Sequence, residues 1–383
     1  MAVCDPGEDR RADLSASTQL KREMMDSLDT VAVIMAGGTG TRFWPLSTSE
    51  KPKQFLKLFD DRSLLQRSYD RIADLIPPER IVILTNASFV PLVREQLPQL
   101  PAENVIGEPM KRDTAAAVCL GAALCRKRFG NPLMVVLTAD HMIEPINLFQ
   151  EFLISAAKAA RASGAIYTLG ICPTFPAVGY GYLELGEKVE SKDGIEHFHL
   201  RCIKEKPDAE TAAAYVLSGK FLWNSGMFIW NTDTIIREIQ THLPEHWRAI
   251  SEAVRHDRTP LWEESLCQAF DQVKPISIDY GVMEKATQVR CVASTFSWTD
   301  LGGWLALADF LERDRDDNCC RGQVMTLDAT GNIVFCENRD DLVMVVGIDD
   351  LVVVRAGART LIAKKDRVEE IRKLVQNLEA TPS

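Results

Sequence analysis

Apolar residues fall into short continuous blocks punctuated by glycine turns and by longer stretches with helical spacing. The block at residues 31–35 is apolar at every position, which predicts a strand covered on both faces. Beyond it the pattern predicts a helix over 63–76, a strand over 81–84, a helix over 89–96, a short strand over 104–106 and a helix over 114–128. A strand over 133–137, an alanine-rich helix over 149–162 and a strand over 165–170 continue the series. Alternation of this kind predicts an α/β fold: a mostly parallel sheet flanked by helices on both faces.

The rhythm changes at Gly179-Tyr180-Gly181-Tyr182, where a charged hairpin-like region leads to a strand over 197–205. Past residue 316 come short β-rich pieces over 323–327, 333–336, 342–346 and 351–355, then an amphipathic helix over 366–378. Three parts are expected: a loose N-terminal extension over 1–30, a main domain over 31–310 and a small β-rich domain over 311–383 ending in a helix. No strict repeat and no low-complexity segment is found.

Length and composition narrow the function classes. At 383 residues, 46% hydrophobic and 26% charged, the chain reads as an ordinary folded protein with a sizeable core. A net charge of −10 repels a phosphate backbone, so no nucleic-acid partner is expected. The apolar run at 342–361 is broken by Asp349, Asp350 and Arg355, short of the roughly 20 residues that span a bilayer, and no membrane association is expected. The first 30 residues carry Asp5, Glu8, Asp9, Arg10 and Arg11 in place of an apolar core, unlike a secretory signal. Ten cysteines without a repeated spacing suggest neither a zinc site nor a disulfide framework and predict reduced thiols in the cytoplasm; a redox role for adjacent Cys319 and Cys320 is the alternative.

Chemistry concentrates first at Gly37-Gly38-Thr39-Gly40-Thr41-Arg42, directly after the first strand. Glycines let backbone N–H groups approach phosphate oxygens without a Cβ in the way. Phe43 stands where a dinucleotide fingerprint needs its third glycine, and the Gly-Lys-Ser/Thr of a Walker loop is absent. What remains is a glycine turn ending in Arg42, with Lys51 and Lys53 close behind: concentrated positive charge suited to a triphosphate, or else a tight βα turn with surface cations. Asp140 and Asp300 each follow a strand-like run, where open α/β sheets bind ligands, and two carboxylates with phosphate oxygens suit Mg²⁺; taken singly, each aspartate reads first as a cap or turn residue, and only their combination with the glycine turn reverses that.

A series of motifs then appears in one order: Trp44-Pro45-Leu46, Pro52-Lys53-Gln54-Phe55, Glu108-Pro109 with Arg112-Asp113-Thr114-Ala115, Ala139-Asp140-His141, Glu205-Lys206-Pro207, Trp223-Asn224-Ser225-Gly226-Met227-Phe228, Ser277-Ile278-Asp279-Tyr280 and Trp298-Thr299-Asp300-Leu301-Gly302-Gly303-Trp304. From Val31 to the C-terminus the sequence resembles the mannose-1-phosphate guanylyltransferases among the sugar-nucleotide pyrophosphorylases. The resemblance implies a Rossmann-like nucleotidyltransferase (GT-A-like) main domain on a mixed, mostly parallel sheet flanked by helices, and a small β-rich, β-helix-like C-terminal domain. It implies the reaction of GTP with α-D-mannose 1-phosphate to GDP-mannose and pyrophosphate, with Mg²⁺ or another divalent cation as cofactor. It also implies site residues. Arg42 and the loop amides of residues 37–41 would hold the β- and γ-phosphates, Lys53 the transferring phosphate, Asp140 and Asp300 the metal, and Lys206 the sugar phosphate.

Glu108 can accept from guanine N1–H and the N2 amine, a donor pair that uracil and thymine lack; a turn-forming Glu-Pro is the alternative. Arg112, Asp113 and Thr114 open a helix, so capping and nucleotide contact both stand. On the sugar side Tyr182 is expected to cover a pyranose face, Glu205, Asn224 and Asp279 to satisfy hydroxyls, and Gly179 and Gly181 to allow close approach. The pairs His242/His246 and His197/His199 read as solvated histidines, since neither has a third ligand. Departures from the family pattern are Thr138 where many relatives carry proline, and Asp113 and Ala116 in place of asparagine and proline. Only about 70 residues follow the transferase region, so the phosphomannose isomerase domain of some relatives is not expected; the tail resembles the part that serves subunit contact in monofunctional members, and a homodimer is expected. Rival readings are a pyrophosphorylase for another hexose 1-phosphate or nucleotide, and a catalytically silent GDP-mannose sensor.

Overall fold

The computed structural model describes residues 6–38, 40–191, 193–338 and 340–380; Thr39 lies outside them, and Thr41 is described in its backbone alone. The chain divides into two compact units. The larger takes the residues up to Gly37 with Ser68–Ala139 and Ile143–Trp298; the smaller takes Gly38–Arg67, Asp140–Met142 and the chain from Thr299 onward.

The larger unit is built on nine strands: β1 (Thr30–Ala36), β2 (Ile81–Asn86), β3 (Val105–Glu108), β4 (Leu133–Thr138), β5 (Ile166–Ile171), β6 (Gly181–Val189), β7 (His197–Glu205), β8 (Phe221–Asn231) and β9 (Val289–Ser294). They lie in the order β3-β2-β1-β4-β8-β5-β9-β7-β6, with β8 also pairing β6. Pairing is parallel from β3 to β4 and between β5 and β9, and antiparallel elsewhere. Continuous apolar sequence makes β1, β2 and β4 two-sided: all but their terminal positions are almost completely buried, Met35 excepted.

The helix Asp113–Phe129 is alanine-rich and apolar all round from Ala115 to Cys125, so that stretch sits wholly within the core with Val31, Val33, Leu84 and Met134. The helix Ile146–Ser163 packs on β5 and β8, with Phe149 and Phe152 edge-on to Phe296. His197 and His246 are buried, not solvated as their sequence setting suggests: His197 Nε2 lies 2.8 Å from Ser155 Oγ, and His246 Nε2 lies 2.9 Å from the Lys274 carbonyl. Of the N-terminal extension expected to be loose, residues 1–5 lie outside the described residues and the described part is largely helical. Pro6–Ser27 forms a helix whose Met25 is fully buried, and Thr30 Oγ1 donates to the Met25 carbonyl at 2.9 Å.

The smaller unit has its own core, in which the segment after the glycine turn and the segment after Asp300 pack with the β-rich tail. Phe43 meets Trp304 edge-on at 5.2 Å, Trp304 meets Phe335 at 5.3 Å, and Trp304 Nε1 donates to the Trp44 carbonyl at 3.2 Å. Its strands are β10 (Cys319–Arg321), β11 (Gln323–Leu327), β12 (Ile333–Cys336), β13 (Leu342–Val346), β14 (Leu351–Ala356) and β15 (Arg359–Lys364). Parallel stacking of β10 on β12 on β14, and of β11 on β13, gives the coil of a β-helix. The helix Ile371–Ala380 turns Ile371 and Val375 into this core.

Candidate active site

In the smaller unit, Gly40, Arg42, Lys53, Asp140, Asp300 and Arg372 line one cavity of about 310 Å³. Lys53 opens a short 3₁₀ turn, Lys53–Phe55, anchored because Gln54 and Phe55 are buried. Its ammonium donates to Asp140 Oδ2 at 3.0 Å and also to the Asp300 carbonyl. Burial pushes the Asp140 carboxyl up, but Lys53 and then His141 outweigh this and hold it below the usual aspartate range. Arg42 Nη1 donates to the Gly302 carbonyl at 3.0 Å, while its Nε lies 3.1 Å from Glu369 Oε2 in a geometry that leaves the N–H without an acceptor. Lys51 instead pairs with Glu337 at 3.4 Å on the surface.

The larger unit carries the other expected groups. Glu108 ends β3 beside Gly37: a Cβ on Gly37 would stand 3.4 Å from Glu108 Oε2. Burial pushes the Glu108 carboxyl up to about 8. The Arg112–Thr114 segment is held by the protein itself. Arg112 Nε donates to the Phe270 carbonyl at 2.6 Å, Asp113 Oδ1 accepts from the Thr114 N–H at 2.8 Å, and Thr114 Oγ1 accepts from the Ile278 N–H at 2.8 Å.

Asn224, Glu205 and Asp279 form a cluster. Asn224 Nδ2 donates to Asp279 Oδ1 at 2.9 Å and reaches Glu205 Oε1 at 3.5 Å. Burial, with Asp279 beside it, pushes Glu205 up to about 7, and burial raises Asp279 as well. A carboxyl half-protonated near neutrality donates as well as accepts, which suits hydroxyl groups. Gly181 lets the Glu205 carboxylate lie close to the backbone: a Cβ there would stand 2.1 Å from Glu205 Oε1 and would displace that side chain, whereas Gly179 faces open space. Lys206 is exposed, with φ of 48°, and its N–H donates to the Tyr180 carbonyl at 3.2 Å.

Tyr182 is a correction: it is fully buried, its hydroxyl donates to the Ala177 carbonyl at 3.0 Å and its ring lies against Tyr215, so it covers no ligand. Its strand pairs on both sides, with β7 and β8, and so lies inside the sheet. The half-exposed ring is Tyr180, edge-on to Trp223 and Trp298 at 5.1 Å each. Sequence reasoning missed this ring, and it missed Glu369 and Arg372. The Gly-Tyr-Gly-Tyr repeat held the first signal without separating its two tyrosines.

Comparison with known proteins fits this arrangement. A nucleotidyl transferase family model matches residues 31–317, and a MannoseP isomerase/GMP-like beta-helix domain matches residues 322–378. A mannose-1-phosphate guanylyltransferase of Sinorhizobium fredii (strain NBRC 101917 / NGR234) is 36% identical over 354 residues, covering 91% of this chain and 68% of that one. One from Salmonella montevideo is 37% identical over 355 residues, covering 90% and 73%. A solved structure from Thermus thermophilus, described as a mannose-1-phosphate geranyltransferase, superposes with a TM-score of 0.81 at 34% identity over 92% of this chain and 99% of that one. The charged cavity that follows the glycine turn, the β-helix coil of the tail and these likenesses agree, and the chain belongs to the nucleotidyl transferase family, among the mannose-1-phosphate guanylyltransferases.

Proposed function

We propose that the protein transfers a guanylyl group from GTP to α-D-mannose 1-phosphate, releasing pyrophosphate. A phosphate oxygen of the sugar phosphate attacks the α-phosphorus in line, one P–O bond forms, and the bond to the β-phosphate oxygen breaks. No protein nucleophile is required; the work is positioning and charge neutralisation. The observation that carries this reading is the cavity that collects Arg42, Lys53, Asp140 and Asp300, drawn from three separate stretches of chain.

Arg42 and the amides of Gly38 and Gly40 neutralise the leaving pyrophosphate, and Lys53 steadies the α-phosphate. Lys206 meets the sugar phosphate; Glu205, Asn224 and Asp279 bond the hydroxyls. Arg112 and Thr114 act by fixing the helix start rather than by touching nucleotide, as their internal bonds indicate. Asp140 and Asp300 offer the hard oxygen donors that suit Mg²⁺, which takes one or two carboxylates and completes its shell with phosphate and water. When bound, the ion supplies charge neutralisation of the phosphates. The nine described cysteines are free, which supports a reducing, cytoplasmic setting, and no helix among the described residues is long and apolar enough to cross a membrane. A homodimer is supported by the apolar face of β11 and β13, where Met325, Leu327, Met344 and Val346 are each about 60% exposed.

Pyrophosphate release across GTP, ATP, UTP and dTTP paired with mannose, glucose and N-acetylglucosamine 1-phosphates tests the assignment. Release mainly from GTP with mannose 1-phosphate is expected; release from another pair moves the specificity, and silence with retained GDP-mannose binding favours the sensor.

Glu108 adds a pH signature. With its carboxyl raised to about 8, the ionised form that accepts both guanine donors becomes populated as pH rises through that value. Guanine binding therefore releases a proton, and preference for GTP over ITP, whose base lacks the N2 amine, should rise from about pH 6.5 to about pH 8.5. Glu108→Gln should flatten the profile and relax the preference. A flat ratio in the parent protein would remove Glu108 from base recognition.

A further inference from the structure

The tail of the chain reaches the charged cavity of the smaller unit. Arg372, in the first turn of the helix Ile371–Ala380, lines that cavity and makes no hydrogen bond or ion pair among the described residues. Three residues earlier, Glu369 stands 3.1 Å from Arg42 Nε, yet that solvent-shielded N–H still has no acceptor. A Cβ on Gly303 would come within 2.8 Å of Glu369 Oε1, so the bare glycine leaves room for the carboxylate. Among the described residues, one cavity is thus lined by an unpaired guanidinium and by a second guanidinium with an orphaned donor, and the half-exposed Glu369 carboxylate stands against the second.

Two guanidinium groups with free donors suit phosphate oxygens, which they bind by paired, charge-assisted hydrogen bonds. A half-exposed carboxylate pairs with arginine only weakly and exchanges readily for a more highly charged anion. We infer that the C-terminal helix completes the phosphate end of the site: Arg372 binds, with Arg42, the phosphates that leave as pyrophosphate, and Glu369 is the carboxylate they displace. The identity of those phosphates rests on the guanylyl-transfer reading above.

The test uses the full-length protein and its Arg372→Gln, Arg372→Lys and Glu369→Gln variants, titrated calorimetrically with inorganic pyrophosphate and with GMP, alongside steady-state kinetics. Arg372→Gln should weaken pyrophosphate binding and raise the KM for GTP about tenfold each. GMP affinity and the KM for mannose 1-phosphate should hold, and Arg372→Lys should recover part of the loss. Glu369→Gln should bind pyrophosphate more tightly. An unchanged pyrophosphate affinity in Arg372→Gln, or a loss shared equally by GMP, overturns the role of Arg372; weaker binding in Glu369→Gln overturns the displaced carboxylate. If the parent forms no GDP-mannose while Arg372→Gln still loses pyrophosphate, the transfer reading fails and the anion site stands. If GDP-mannose forms and Arg372→Gln binds pyrophosphate as the parent does, the reverse holds.

Discussion

Asp140→Asn is expected to lower turnover by about a hundredfold to a thousandfold while leaving the fold intact, the range seen when one charge-stabilising contact to a transition state is removed. The substitution keeps the shape of the side chain and removes its charge. Lys53 then faces a neutral amide in place of the carboxylate that holds its ammonium at 3.0 Å, and it keeps the Asp300 carbonyl as an acceptor. Because Asp140 is one third exposed, water re-solvates much of what the pair loses, and the stability cost stays near 1 kcal/mol. Two deficits add in the rate: one of the two proposed carboxylates for the divalent ion is gone, and Lys53 is less firmly aimed. Pyrophosphate release and a thermal melt, run side by side, separate a chemical loss from a structural one. Turnover within about threefold of the parent would take Asp140 out of the mechanism.

The parallel part of the large sheet was legible because β1, β2 and β4 are apolar at nearly every position, and only two-sided burial produces such runs. The strand β8 was not legible. It carries Asn224, Ser225 and Gly226 in its middle, so polar residues interrupt what is nonetheless a mostly buried strand with partners on both sides. Those interruptions hold part of the candidate sugar site, and local propensity fails where chemistry displaces packing. The glycine turn, Lys53 and the two aspartates could be picked out as candidates from their residue types and from motif resemblance. Their meeting in one cavity could not, because it depends on Phe43, Trp304 and Phe335 packing the glycine-turn segment against the tail.

Arg372 and Glu369 were hidden for a related reason. On an amphipathic C-terminal helix an exposed arginine reads as an ordinary solvated residue, and only the burial of Ile371 and Val375 beneath it turns that face toward the cavity. Tyr180 and Tyr182 stand two residues apart in near-identical local sequence. The Ala177 carbonyl within reach of the Tyr182 hydroxyl and the Tyr215 ring packed against it mark which ring is withdrawn.

Gly40→Ala is expected to cost about a hundredfold in turnover together with a measurable loss of stability. Gly40 has φ of 58°, a left-handed conformation that costs an alanine about 1–2 kcal/mol. The added methyl would stand 2.2 Å from Lys53 Cβ and 3.0 Å from the Lys53 backbone nitrogen. No side-chain rotation relieves that overlap, since both carbons are fixed by their backbones. Either the glycine turn or the Lys53–Phe55 turn must move, and the second is pinned by buried Gln54 and Phe55. The glycine turn therefore yields, carrying Arg42 and the proposed phosphate-binding amides with it, and a misplacement of about 1 Å in a positioning group is enough for a hundredfold loss. Gly38→Ala supplies the contrast: a Cβ there meets nothing within 4 Å, so its melting temperature should match the parent. Equal turnover and equal melting in Gly40→Ala and the parent would show that the close approach of the turn to Lys53 is not needed for catalysis.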